Sequence, residues 1–76
     1  MTSSRLPRNV RQAEAIRALI RAGGVEDKAA GKGSHYRVTM PNGAKVFVPA
    51  GIIKVGTLAS IIRHAGLTVD EFTALL

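Results

Sequence analysis

The chain has 76 residues, no cysteine and a formal charge of +6, with eleven Lys and Arg against five Asp and Glu and a pI near 10.9. That length holds one small domain, near the size at which a single core is only just adequate, and the lack of cysteine rules out a disulfide, a thiolate–zinc framework and a cysteine nucleophile. With no stretch approaching the roughly 20 apolar residues of a membrane span and no signal-peptide apolar region, a soluble cytoplasmic protein is expected, its charge favouring nucleic acid or an acidic protein partner over a membrane.

Residues 1–8 are polar, carry Arg5, Pro7 and Arg8, and are expected to form a flexible basic tail ahead of a single domain over 9–76. From Asn9, a good N-cap, the pattern turns helical through about Ala22. Ala13, Ile16, Leu19 and Ile20 recur at helical spacing as its apolar face, with Arg11, Glu14, Arg17 and Arg21 opposite. Gly23-Gly24 should end this helix. Residues 25–30 have poor strand propensity and are assigned as a strand because the next two segments need a neighbour. Gly31-Lys32-Gly33 reads as a flexible loop.

His35 to Met40 then alternates: Tyr36, Val38 and Met40 share one face, and His35, Arg37 and Thr39 the other. Pro41-Asn42-Gly43 is a hairpin turn. Lys45 to Pro49 returns with Val46 and Val48 on one face and Lys45 and Phe47 on the other. After a connector, Gly56-Thr57 opens a second helix with Thr57 as N-cap, Leu58, Ile61, Ile62 and Ala65 as its buried face, and Gly66 as C-cap with Leu67 packing behind it. Thr68 and Glu71 form a capping box for a short last helix whose core contacts are Phe72, Leu75 and Leu76.

The order is α-β-β-β-α with a short extra C-terminal helix, an α+β fold. A three-stranded antiparallel sheet buries one face under two helices and leaves the other open. If the valines face the helices, His35, Arg37, Lys45 and Phe47 line the open face, although a one-residue slip in register would invert this.

An imidazole on a basic face suits general acid–base catalysis, because its two protonation states interconvert near neutral pH. For RNA the reaction is attack of a 2′-hydroxyl on the adjacent phosphate, with Lys32, Arg37 or Lys45 stabilising the charge that develops. His64 falls outside the apolar stripe of its helix, beside Ser60, and reads as a solvated side chain. Phe47 is equally consistent with stacking on a base and with packing at the core's edge. Arg17 reads as ordinary solvation of the helix, while Arg11 and Arg21 stay open. No metal-ligand spacing links the two histidines and five carboxylates, so no metal is expected. Gly31-Lys32-Gly33-Ser34 fits neither the Walker pattern nor Gly-x-Gly-x-x-Gly, so no nucleotide cofactor is expected.

Four segments together give the chain a family resemblance that covers roughly Glu14 to Phe72. They are Leu19-Ile20-Arg21-Ala22-Gly23; Lys32-Gly33-Ser34-His35; Pro41-Asn42-Gly43 with Val46-Phe47-Val48-Pro49; and Gly56-Thr57-Leu58 through Thr68. In order and spacing they resemble the HicA toxins of bacterial type II toxin–antitoxin systems. The resemblance implies a fold like that of double-stranded-RNA-binding domains, and cleavage of mRNA without a metal cofactor. It implies His35, in the Gly-Ser-His motif, as the catalytic residue, and neutralisation by a HicB-like antitoxin. Lys32, Gly33, Ser34, Arg37, Lys45 and Phe47 are then the expected RNA-contacting residues. The rival expectations are a non-catalytic RNA-binding module of the same fold and a basic protein–protein interaction domain.

Overall fold

A computed structural model describes residues 6–27 and 36–76 of the chain. The elements are α1 (Gln12–Arg21), β1 (Val25–Asp27), β2 (Tyr36–Thr39), β3 (Lys45–Val48), α2 (Val55–His64) and α3 (Val69–Leu75). The order α-β-β-β-α-α around an antiparallel sheet β1-β2-β3 is the expected α+β architecture.

Helix α1 starts later than its sequence suggests. Asn9 adopts a left-handed conformation (φ 59°), which Asn tolerates better than most residues, and it serves as a bend rather than a cap. Val10 is instead drawn into the core. Its carbonyl accepts from the Ile53 N–H (2.8 Å), and the Gln12 N–H donates to the Gly51 carbonyl (3.0 Å). This short pairing with the connector holds the chain extended until Arg11, the N-cap, whose backbone N–H donates to the Glu14 carboxylate (2.9 Å). The buried stripe is Ala15, Ile16, Ala18 and Leu19. Ala13 and Ile20 are exposed, a correction to the apolar face read from sequence. They border a groove shared with Glu26 and Tyr36. The helix ends as expected: the Gly24 N–H donates to the Leu19 carbonyl and the Gly23 N–H to the Ile20 carbonyl, both 2.9 Å. Gly23 has φ +103°, giving the paired bonds of a Schellman motif.

The strand register follows the alternation. Val38 lies opposite Val46 and Tyr36 opposite Val48, while Arg37 lies opposite Phe47 and Thr39 opposite Lys45. Val38, Met40, Val46 and Val48 are buried, Tyr36 packs partly against them, and Lys45 and Phe47 are exposed. The weak β1 segment does pair, Val25 with Thr39 and Asp27 with Arg37; residues 28–30 of that expected strand lie outside the described residues. In the β2–β3 turn the Gly43 N–H donates to the Met40 carbonyl and the Met40 N–H to the Ala44 carbonyl, both 2.8 Å. Asn42 Oδ1 accepts from the Ala44 N–H. Gly43, at φ +89°, completes a turn-plus-glycine hairpin that fixes this register.

Helix α1 lies across all three strands, α2 lies along β3, and α3 bridges the two helices. Helix α2 begins at Val55 with Lys54 as N-cap, so Thr57 sits inside the first turn and is not the cap. Leu58, Ile61, Ile62 and Ala65 are buried as expected. Ala65 is the C-cap and Gly66 (φ +78°) the residue beyond it. There the Leu67 N–H donates to the Ile62 carbonyl and the Gly66 N–H to the Arg63 carbonyl, both 3.1 Å, a second Schellman turn. The Thr68/Glu71 capping box is present, each residue bonding the other's backbone N–H (2.8 and 3.0 Å). Phe72 is fully buried and Leu75 partly so, but Leu76 is exposed and makes no part of the core. Leu6, at the other end, packs partly against it.

Candidate nucleic-acid interface

The pleat of β2 and β3 decides what the open face of the sheet presents. Because Val38, Val46 and Val48 turn inward, the residues between them turn outward: Arg37 and Thr39 from β2, Lys45 and Phe47 from β3. The structure thus brings together three of the expected contact residues. Arg37 is half-buried, Lys45 is exposed, and Phe47 is 56% exposed directly across from Arg37. Side chains opposed in this way have Cβ atoms about 4.5–5.5 Å apart, close enough for the guanidinium stem and the ring to form one surface. Phe47 is therefore an exposed ring and not an edge-packed core residue. The catalytic candidate His35, with Lys32, Gly33 and Ser34, lies outside the described residues; in sequence these four lead directly into β2.

The charges around this face are uneven. Two of the five carboxylates, Glu14 and Glu71, are engaged at helix N-termini, where a negative charge also meets a favourable dipole. Asp27 pairs in register with Arg37 at the end of β1. Toward β3 the face carries the exposed Lys45. Of the α1 arginines, Arg21 plays a structural part, because its Nη1 donates to the Leu75 carbonyl (2.8 Å) and so ties α1 to the end of α3. Arg11 caps its helix, and Arg17 is exposed beside the groove that Tyr36 and Glu26 border.

Residues the sequence did not single out for function complete the surface. A cavity of about 240 Å³ lies where β3 meets α2, bordered by Lys45, Val46, Phe47, Thr57, Ser60, Ile61 and His64. Thr57, Ser60 and His64 are spaced three and four apart, so they line up along one flank of α2 beside the buried stripe. His64 is solvent-exposed, as its position on the helix suggested, and its Nδ1 lies 2.8 Å from the Ser60 carbonyl oxygen. A carbonyl oxygen only accepts, so Nδ1 carries the proton in this contact and Nε2 is left as the acceptor of the neutral ring. The available signal was the Thr57/Ser60/His64 spacing, but it gains meaning only once α2 is placed along β3.

Among the described residues no group of three or more His, Cys, Asp or Glu gathers in a way that could hold a metal ion. No helix among them is long and apolar enough to cross a membrane.

The fold, the glycine turns and this basic sheet face converge with a direct comparison: residues 13–67 match the family model of the HicA toxin of bacterial toxin–antitoxin systems. The chain belongs to the HicA toxin family. The matched region runs from the first turn of α1 through the glycine turn that closes α2, and so takes in every strand and the whole candidate interface. A search of curated proteins finds no match to the chain. Family membership makes the protein a toxin of a toxin–antitoxin pair, for which an antitoxin is the expected partner.

Proposed function

We propose that this HicA-family protein is a metal-independent endoribonuclease that cuts mRNA on the open face of its sheet, with His35 as general acid or base. A HicB-like antitoxin covering that face would silence it. The observation that carries the reading is the outward-facing row of Arg37, Phe47 and Lys45 on β2 and β3, in a chain that belongs to this toxin family. Cations and an exposed aromatic ring on one surface suit single-stranded RNA, whose phosphates and base faces they can meet together.

The chemistry assigned to His35 is transesterification. A neutral imidazole takes the proton of a ribose 2′-hydroxyl as its oxygen forms a bond to the adjacent phosphorus. The bond from phosphorus to the 5′-oxygen breaks, and that oxygen takes up a proton. The ends are a 2′,3′-cyclic phosphate and a 5′-hydroxyl. In the converse role, His35 as imidazolium supplies the leaving oxygen's proton. Arg37 and Lys45, with Lys32, stabilise the additional negative charge on the phosphorane oxygens.

The test is cleavage of RNA by the purified chain in EDTA, compared with His35→Ala. Cleavage should be lost in the variant, while its fold and most of its RNA affinity are kept. Undiminished cleavage by His35→Ala removes His35 from the mechanism. Salt-sensitive RNA binding without cleavage by either protein points to a binding module. Binding only to an acidic protein points to an interaction domain.

A further inference from the structure

We propose that the cavity between β3 and α2 is a nucleotide subsite for single-stranded RNA, in which Phe47 stacks on a base, Lys45 meets a phosphate and His64 Nε2 accepts from a ribose 2′-hydroxyl. The proposal deepens the reading of the protein as an RNA-cleaving toxin and rests on RNA being its ligand. It adds a site outside the His35 segment and gives a role to the second imidazole.

Three features support it. The first is size: about 240 Å³ lies below the ~300–1,000 Å³ of pockets for drug-sized ligands, and it suits one nucleotide of a strand that continues into solvent. The second is the mixture of walls. Val46 and Ile61 form an apolar floor, Phe47 stands 56% exposed at one side, and Lys45 and His64 sit at the rim. No carboxylate lines the cavity among the described residues, so nothing in its wall repels a phosphate. An aromatic face beside cations is the recurring arrangement for sequence-tolerant binding of single strands.

The third is the orientation of His64. Its Nδ1–H is committed to the Ser60 carbonyl at 2.8 Å, which holds the ring and leaves Nε2 as an acceptor in the neutral form. An acceptor beside a lysine is poorly suited to a phosphate oxygen but well suited to a hydroxyl donor. The ribose 2′-hydroxyl is the donor that DNA lacks, so this nitrogen gives the subsite a means of preferring RNA. Thr57 and Ser60, which precede His64 on the same flank, supply hydroxyls that can donate or accept.

The test uses the full chain carrying His35→Ala, and measures affinity by fluorescence anisotropy for a labelled single-stranded RNA octamer and the DNA octamer of the same sequence. A denaturing gel verifies that the RNA stays intact. Adding Phe47→Ala should weaken both ligands by about tenfold. Adding His64→Ala should weaken RNA by about fivefold and leave DNA unchanged, while His64→Gln, whose Oε1 also accepts, should keep most of the RNA preference. Circular dichroism and thermal melting establish that each variant is folded. Affinities within twofold of the parent in folded Phe47→Ala and His64→Ala proteins overturn the subsite, as does failure of the parent to bind either octamer at low salt. The nuclease reading fails separately. Cleavage by wild type with unaltered variant affinities removes the subsite alone. The expected affinity losses without any cleavage by wild type uphold the subsite and remove the nuclease.

Discussion

Gly24 is the position where one added methyl group should cost the most, and the reason is the closeness of α1 to the sheet. A Cβ built on Gly24 would lie 2.6 Å from Val38 Cγ1, 2.9 Å from the Leu19 carbonyl oxygen and 2.9 Å from Met40 Sδ. Ordinary carbon–carbon contact is about 3.5–4.0 Å, so the Val38 methyl would have to retreat by roughly 1 Å. Met40 has a flexible end and can yield. Val38 is fully buried and hydrogen-bonded between two strands, and a β-branched side chain has little rotamer freedom with which to turn aside. The Leu19 oxygen is backbone, held by the turn that closes α1. Overpacking of this kind costs about 1–3 kcal/mol, partly offset by the ~0.4–1 kcal/mol that alanine gains by restricting the unfolded chain. With a backbone oxygen and a stiff side chain both in the way, the overpacking cost lies in the upper part of its range. Gly24→Ala should therefore be destabilised by about 1–2 kcal/mol, which lowers Tm by roughly 4–16 °C in a domain of this size. Gly56→Ala is the internal control. It lies in the first turn of α2 with nothing within 4 Å of the added Cβ, so the helix propensity of alanine should raise stability by up to about 1 kcal/mol. Thermal melts followed by circular dichroism compare the two. A Gly24→Ala protein as stable as wild type would refute the packing argument, because the same substitution carries the same unfolded-state gain at both positions.

The other expectations concern the C-terminal helix and the basic face. Thr68→Ala removes the acceptor for the Glu71 N–H and should lower stability by about 1 kcal/mol, read as a Tm lower by roughly 4–8 °C. Phe72→Ala empties the largest fully buried side chain at a cost of about 3–5 kcal/mol. A chain this short has about 4–11 kcal/mol of stability to lose, so amide NMR dispersion at 37 °C should be reduced or absent. Lys45→Ala should weaken single-stranded RNA binding evenly across sequences and flatten its salt dependence by about 0.7 in log K against log salt, one phosphate's worth. A slope unchanged from wild type would mean that Lys45 meets no phosphate.

Where a local rule had no competitor, the residues alone gave the right element. The alternation Val46-Phe47-Val48 settles which residues face outward, because four buried residues on the same side of the β2–β3 hairpin make any slip costly. The two glycine turns and the Thr68/Glu71 box are equally direct, since left-handed backbone and an oxygen acceptor are needed at those places. Helix starts were less legible. Asn9 and Thr57 are both good caps by composition, yet the pairing of Val10 with Ile53 delays α1 until Arg11. The extended Lys54 lets α2 begin before Thr57. In each case a tertiary contact or backbone geometry outweighed a preference of order 1 kcal/mol. Helical spacing admits Ile20 and Leu76 to the core, but burial depends also on what lies opposite, and both are exposed.

The same distinction explains why half of the proposed interface was legible and half was not. Arg37, Lys45 and Phe47 share a face because strand geometry alone puts them there. The Thr57/Ser60/His64 flank reaches that face only because α2 packs along β3, the outer strand. Leu58, Ile61 and Ile62 anchor the helix in the core, and that fixes its rotation. A stripe centred on these residues leaves position 64 on the shoulder of the helix instead of its solvent pole. Both Ile61 and His64 consequently border one cavity, the first as floor and the second as rim. The residues that stabilise α2 are thus also those that aim His64 at Phe47, so a substitution at Ile61 that keeps the protein folded but shifts the helix should disturb RNA preference without touching a polar group.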